Sequence, residues 1–225
     1  MEKLEVYPEL IVMLTENDRT VKNAYEIFEK CKDSKAEYWG FKEKGISPSE
    51  MKELFAYMKS LGKTTVLEVV AYTEDKCLEG AQMAAECGCD ILMGTVYSEK
   101  INRICNENNI KYIPFIGDVY GRPSILEGSV DDMIAQAESY RENGVFGADL
   151  LGYRYRGNCD ELNRQVVSST ELNICIAGSV DSFEKLDEIK KLGCWAFTVG
   201  GAFFADKFGG SIKEQINKVY DYVRK

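Results

Sequence analysis

Two stretches near the end of the chain decide how the rest is read: Asn173-Ile174-Cys175-Ile176-Ala177-Gly178-Ser179-Val180, and then Ala196-Phe197-Thr198-Val199-Gly200-Gly201-Ala202-Phe203-Phe204. Each is an apolar run that stops in a glycine turn, the pattern of a strand buried on both faces. Between them, Ser182-Phe183-Glu184-Lys185 opens a helix with Phe183, Leu186, Ile189 and Leu192 on one side and Gly193 at its end. Strand, helix and strand in that order require a crossover, so the two strands are parallel.

The same unit recurs back to the beginning. Strands are expected at Leu10–Leu14, Tyr38–Phe41, Thr65–Ala71 and Ile91–Gly94, then at Tyr112–Ile116, Ala148–Gly152, Ile174–Ala177 and Ala196–Val199. Their starts recur about every 26 residues, the length of one strand, one helix and two short loops. Ser47-Pro48-Ser49-Glu50 supplies an N-cap and a first-turn proline for a helix that ends at Gly62, and Asp131 to Asn143 followed by Gly144 repeats the scheme. No linker or composition break divides the chain. Eight such units in 225 residues predict one α/β domain over residues 1–225, a (β/α)8 TIM barrel. An open doubly wound sheet is the competing architecture.

Composition narrows the function. The net charge of −9 argues against nucleic acid as the main partner, because phosphate-backbone binding needs a basic face. No apolar run is long enough for a membrane span, and Met1 to Pro8, with Glu2, Lys3 and Glu5, lacks the apolar core of a signal peptide; a cytoplasmic protein is expected. The eight cysteines then read as reduced, mostly buried thiols. There is no histidine, which excludes histidine triads, histidine metal sites and histidine acid–base chemistry. Chemistry falls to carboxylates, lysine, tyrosine, cysteine, arginine, backbone dipoles or a bound ion.

The stretch from Asn173 to Phe204 resembles the ribulose-phosphate-binding barrels, among them the histidine-biosynthesis isomerase and cyclase and the acylmannosamine-phosphate epimerases. The resemblance implies a phosphate site at the carboxyl ends of the seventh and eighth strands, made by Gly178, Ser179, Gly200, Gly201 and Ala202. The residue types fit that role: a dianion needs several converging backbone N–H donors, and a β-carbon obstructs the approach. Ser179 adds a hydroxyl, and a short helix from Ala202 presents unpaired N–H groups. The sequence departs from particular relatives. Pentulose-phosphate epimerases use histidine and aspartate metal ligands, lysine aldolases carry their lysine on a later strand where arginine stands here, and the histidine-biosynthesis barrels hold an acid at the end of the first strand, a place that Glu16 or Asp18 would fill.

Active sites of such barrels lie at the carboxyl ends of the strands. Lys42 follows the second strand, and Glu68 interrupts the third, where a carboxylate needs a partner; the two strands are neighbours. The pair reads either as a base and an acid, with Lys42 also suited to a Schiff base, or as a structural ion pair. Asp118 opens a long loop to Gly128 with the character of a lid, as proton acceptor, magnesium ligand or turn residue. Arg154 and Arg156 suit a carboxylate or second phosphate, and strand alternation turns both the same way. Thr95 and Asp149 are weaker candidates. Tyr120, Phe203, Phe204, Phe208, Tyr220 and Tyr222 serve either self-association into a homo-oligomer or cover for the barrel ends.

The first functional expectation is therefore an enzyme on a phosphorylated small molecule, a sugar phosphate, acting as isomerase, epimerase or aldolase-type lyase, with Lys42, Glu68 and Asp118 moving protons. No cofactor is required by the sequence, and magnesium is compatible with it. The alternatives are a magnesium-dependent transferase using a phosphoribosyl or diphosphate substrate, and a non-catalytic barrel that binds a phosphorylated metabolite.

Overall fold

The computed structural model describes residues 7–225, so Glu2, Lys3 and Glu5 lie outside the described residues. Eight parallel strands run β1 (Glu9–Met13), β2 (Tyr38–Lys42), β3 (Thr64–Ala71), β4 (Ile91–Thr95), β5 (Lys111–Ile113), β6 (Gly147–Leu150), β7 (Asn173–Ile176) and β8 (Ala196–Val199). Their order around the sheet is β6-β7-β8-β1-β2-β3-β4-β5. The two ends of that order meet through one bridge between Phe115 and Asp149, where Asp149 N–H donates to Pro114 O at 2.8 Å and Ile116 N–H to Asp149 O at 3.1 Å. The chain is a (β/α)8 barrel, as the eightfold alternation predicts. β5 is shorter than expected because Pro114 has no N–H to give to a ladder.

Helices α1 (Ala24–Cys31), α2 (Pro48–Ser60), α3 (Glu74–Cys87), α4 (Glu99–Glu107), α5 (Val130–Glu142), α6 (Cys159–Ser168), α7 (Phe183–Leu192), the short α8 (Gly201–Phe204) and α9 (Ile212–Tyr222) form the outer layer. The signals read from the sequence act as anticipated. Ser47 accepts from Glu50 N–H while Glu50 reaches back to the Ser47 amide at 2.8 Å, a complete capping box. Ser182 caps α7, which ends on the left-handed Gly193. Larger apolar residues such as Trp39, Phe41 and Phe28 fill the space between strands and helices, each contributing roughly 1.5–3 kcal/mol. A second set, including Ile11, Met13, Val66, Ile91, Met93, Ile113, Cys175 and Ala196, fills the barrel interior.

All eight cysteines are free, and every one but Cys159 is buried. Phe203 and Phe208 are buried as well, Phe208 packing against both Phe203 and Phe183, so these two rings belong to the core rather than face solvent; Tyr120 is exposed. No helix among the described residues is long and apolar enough to cross a membrane.

Two short hairpins decorate the carboxyl face. Thr15–Glu16 pairs with Arg19–Thr20 around Asn17-Asp18, both in the left-handed region that a two-residue hairpin turn of this hand demands. The segment expected as a loop from Asp118 to Gly128 is a hairpin, Asp118–Tyr120 against Ile125–Glu127. After β6 the chain tightens into a single 3₁₀ turn, Gly152–Arg154, instead of continuing extended to Gly152.

Candidate active site

A cavity of about 700 Å³ opens at the carboxyl ends of the strands. Inward side chains of the last strand positions make its floor. Lys42 and Glu68 are register partners on β2 and β3, and two residues earlier their strands carry Gly40 and Val66, the latter part of the interior core. Strand alternation therefore turns Lys42 and Glu68 into the barrel. Thr198 of β8 and Met13 of β1 complete the floor.

Lys42 is 6% exposed and sits between two carboxylates. Its Nζ donates to Asp18 and lies 3.2 Å from Glu68 Oε1. Burial pulls the lysine toward neutrality, but the charges of Glu68 and Asp18 outweigh it and hold the ammonium above the ordinary lysine value. For Asp18, burial pushes the carboxyl up, while the Lys42 hydrogen bond and the Lys42 and Arg122 charges bring it below the usual range. Arg122, from the tip of the second hairpin, donates to Asp18 at 2.9 Å and to the Val70 carbonyl at 2.8 Å, with Glu43 3.6 Å away. The two hairpins thus meet over the cavity edge through Asp18. Glu43 itself is pushed up by burial.

The opposite wall holds the two glycine turns. Gly178 and Ser179, after β7, and Gly200, Gly201 and Ala202, after β8, line the same cavity. Gly178 has φ of +77° and Ser179 of +62°, which turns the main chain sharply at the strand end. Among the described residues, the amides of Gly178, Ser179, Gly201 and Ala202 donate to no protein acceptor. Arg154 lies across this turn: its stem passes so close to Gly178 that a β-carbon there would sit 3.0 Å from Cδ, and Nε donates to Ser179 Oγ at 3.4 Å. Arg19, Lys44 and Lys207 also line the cavity. Among the described residues they form no ion pair.

The structure thus brings together Lys42, Glu68, Gly178, Ser179, Gly200, Gly201, Ala202 and Arg154. It does not bring in three other sequence candidates. Asp118 is exposed on its hairpin and borders a separate shallow groove with Gly128 and the start of α5. Thr95 is buried, with its hydroxyl 2.8 Å from Tyr112 Oη. Arg156 pairs with Glu127 at 3.0 Å on the surface, because the 3₁₀ turn breaks the alternation that would have set it beside Arg154. Arg122 and Lys207 were assigned no role from sequence, and Asp18 only a substitute's place. Asn17-Asp18 between Thr15-Glu16 and Arg19-Thr20 is the local hairpin signal that places Asp18. No group of three or more metal-ligating side chains occurs among the described residues.

No protein-family model matches the sequence, and no curated protein matches it. Solved structures do. N-acetylmannosamine-6-phosphate 2-epimerase from Clostridium perfringens superposes with a TM-score of 0.65 over 96% of this chain and 93% of its own, at 13% identity. A native KDPGal structure gives 0.69 over 96% and 94%, at 12% identity. Orotidine 5'-phosphate decarboxylase from Lactobacillus acidophilus gives 0.64 over 97% and 100%, also at 12%. The resemblance first read between Asn173 and Phe204 therefore extends over nearly the whole chain as a likeness of fold.

Proposed function

We propose that the chain is an enzyme that binds a phosphorylated sugar or sugar acid and moves protons at carbon, as an isomerase or epimerase. The observation that carries the reading is the single cavity shared by two kinds of wall: unclaimed backbone amides with Arg154 on one side, the Lys42–Glu68 pair on the other. Amides of Gly178, Ser179, Gly201 and Ala202 take the phosphate oxygens, and Arg154 adds a charge-assisted donor. Anchored there, the substrate lays its carbonyl toward Lys42. Glu68 takes the proton from the adjacent carbon, and the Lys42 ammonium stabilises the oxyanion that develops. Two of the structural relatives bear the name of a phosphorylated compound, which agrees with the anchor. A Schiff-base route needs a neutral lysine, and the carboxylates around Lys42 hold its proton on.

Calorimetric titration with inorganic phosphate tests the anchor. Arg154→Ala is expected to weaken phosphate binding about tenfold or more, the loss of one charge-assisted hydrogen bond. Binding that is absent in the unmutated protein, or untouched in the variant, sinks the assignment of the anion site.

A further inference from the structure

The first hairpin separates the active-site cavity from a second one. Glu16, Asn17 and Arg19 line both. The second, of about 770 Å³, runs between the hairpin, α1, α8 and the first turn of α9. Its floor is apolar. Val21, Phe204 and Ile212 are only partly buried, packed against the core and also lining this cavity, and Ile27 joins them from α1. Four cations stand around that floor: Arg19, Lys22, Lys30 and Lys213. Lys213 pairs with Asp33 at 2.6 Å, whereas Arg19, Lys22 and Lys30 form no ion pair among the described residues. Glu16 is the one carboxylate in the lining. Over the whole chain Asp and Glu outnumber Lys and Arg by 37 to 28, so this local excess of cations runs against the composition. The first turn of α9, an 11-residue helix, adds its positive end to the same wall. An exposed lysine by itself is merely solvated, and a half-buried phenylalanine by itself merely covers core. Set together around one hollow, they are complementary to a ligand that has both an apolar body and a negative charge.

We propose that this cavity is a second ligand site, for a small organic anion with a flat apolar body: an aromatic ring system carrying a sulfonate, carboxylate or phosphate. The inference goes beyond the sugar-phosphate reading and does not rest on it. The ring system lies on Phe204, Val21, Ile27 and Ile212, and its charged group turns outward to Arg19, Lys22 and Lys30. The volume falls within the roughly 300–1,000 Å³ of small-molecule sites, which selects a small ligand over a helix of a partner protein. A sugar phosphate does not suit this floor, because its hydroxyls would lose water against side chains that offer no hydrogen bond. The two cavities on either side of the hairpin therefore differ in what they recognise.

The test uses anilinonaphthalene sulfonate, an aromatic anion whose fluorescence rises in an apolar site, with the folded full chain. Titration is expected to show saturable binding of about one dye per chain. Lys22→Glu combined with Lys30→Glu reverses two exposed cations without touching the core, and is expected to weaken the dye about tenfold or more. Lys52→Glu combined with Lys191→Glu makes the same change of net charge on exposed lysines of α2 and α7, and is expected to leave affinity within about twofold. Arg154→Ala is expected to have no effect, since Arg154 lines only the active-site cavity. Absence of binding, or equal weakening in the two charge-reversed variants, overturns the proposal. So does loss of the dye in Arg154→Ala, or its displacement by inorganic phosphate at matched ionic strength, since either places the dye on the amide wall. A dimer that binds no dye and is split by Lys22→Glu with Lys30→Glu gives the hollow to a second copy of the chain, and the proposal falls. Phosphate binding beside Gly178 is judged separately by calorimetry, so either reading can fail without the other.

Discussion

Lys42 carries opposite obligations to its two neighbours, and they can be separated by substitution. Lys42→Met leaves the Asp18 and Glu68 carboxylates in a poorly solvated place without their cation. Breaking a buried pair from one side costs about 3–5 kcal/mol, which denaturant unfolding would register. Asp18→Asn acts differently. The folded Asp18 carboxyl is held below its ordinary value, so its contribution to stability is present above that value and drains away as the pH falls through the folded one. The variant is expected to lose that acid-side dependence, seen as a flatter stability curve below about pH 4. For Asp149 the sign reverses. The native state keeps a proton that the unfolded chain releases near pH 4, so stability falls as the pH climbs from there toward the raised folded value. Asp149→Asn removes this decline and is expected to be at least as stable as the unmutated protein at neutral pH. A more steeply declining curve for the variant contradicts a neutral Asp149.

Among the secondary-structure elements, the second hairpin is anchored at its base by the buried Leu126, whose carbonyl accepts from Arg156 N–H at 3.1 Å, and at its tip by the Tyr72 hydroxyl, which donates to Gly121 O at 2.8 Å. Arg122 is its tie to the first hairpin, through Asp18, and also reaches the Val70 carbonyl. Arg122→Ala is expected to cost only about 1 kcal/mol, because the guanidinium is partly exposed, yet to raise amide exchange across residues 118–127. Unchanged exchange there means the hairpin is secured by its own ladder. This element also marks the limit of what could be read in advance. The barrel strands were legible because each is an apolar run buried on both faces, and Lys42 and Glu68 stood out as charges against that background. The hairpin was not, since Asp118 to Gly128 has neither a helical nor a strand period, and its pairing is fixed by the turn at Gly121 to Ser124. Likewise the bend at Gly152 separates Arg154 from Arg156 by tertiary demand alone: Asn163 of α6 fills the space where a β-carbon on residue 152 would stand.

For the molecule as a whole, the barrel is not equally strong all the way round. β2 and β3 share five register pairs, whereas β5 and β6 are held by the Phe115–Asp149 bridge. The amides of Asp149 and Ile116 are therefore expected to exchange at least about tenfold faster than that of Leu67 in the native protein, through an opening confined to this seam. Equal protection would mean that the seam opens only with global unfolding. The net charge of −9 bears on the ligand at the same scale: the overall field repels an anion, so attraction must come from the local amides and from Arg154, Lys207, Lys44 and Arg19 about the cavity.

Seven of the eight thiols are enclosed, and burial pushes Cys105 and Cys194 up to about 12, which leaves them almost entirely unreactive at neutral pH. Cys159, at the start of α6 and five residues beyond Arg154, is the one that reagents can reach. The native chain therefore arrives with a single addressable handle at the start of α6, where a fluorophore can be attached without any engineered cysteine.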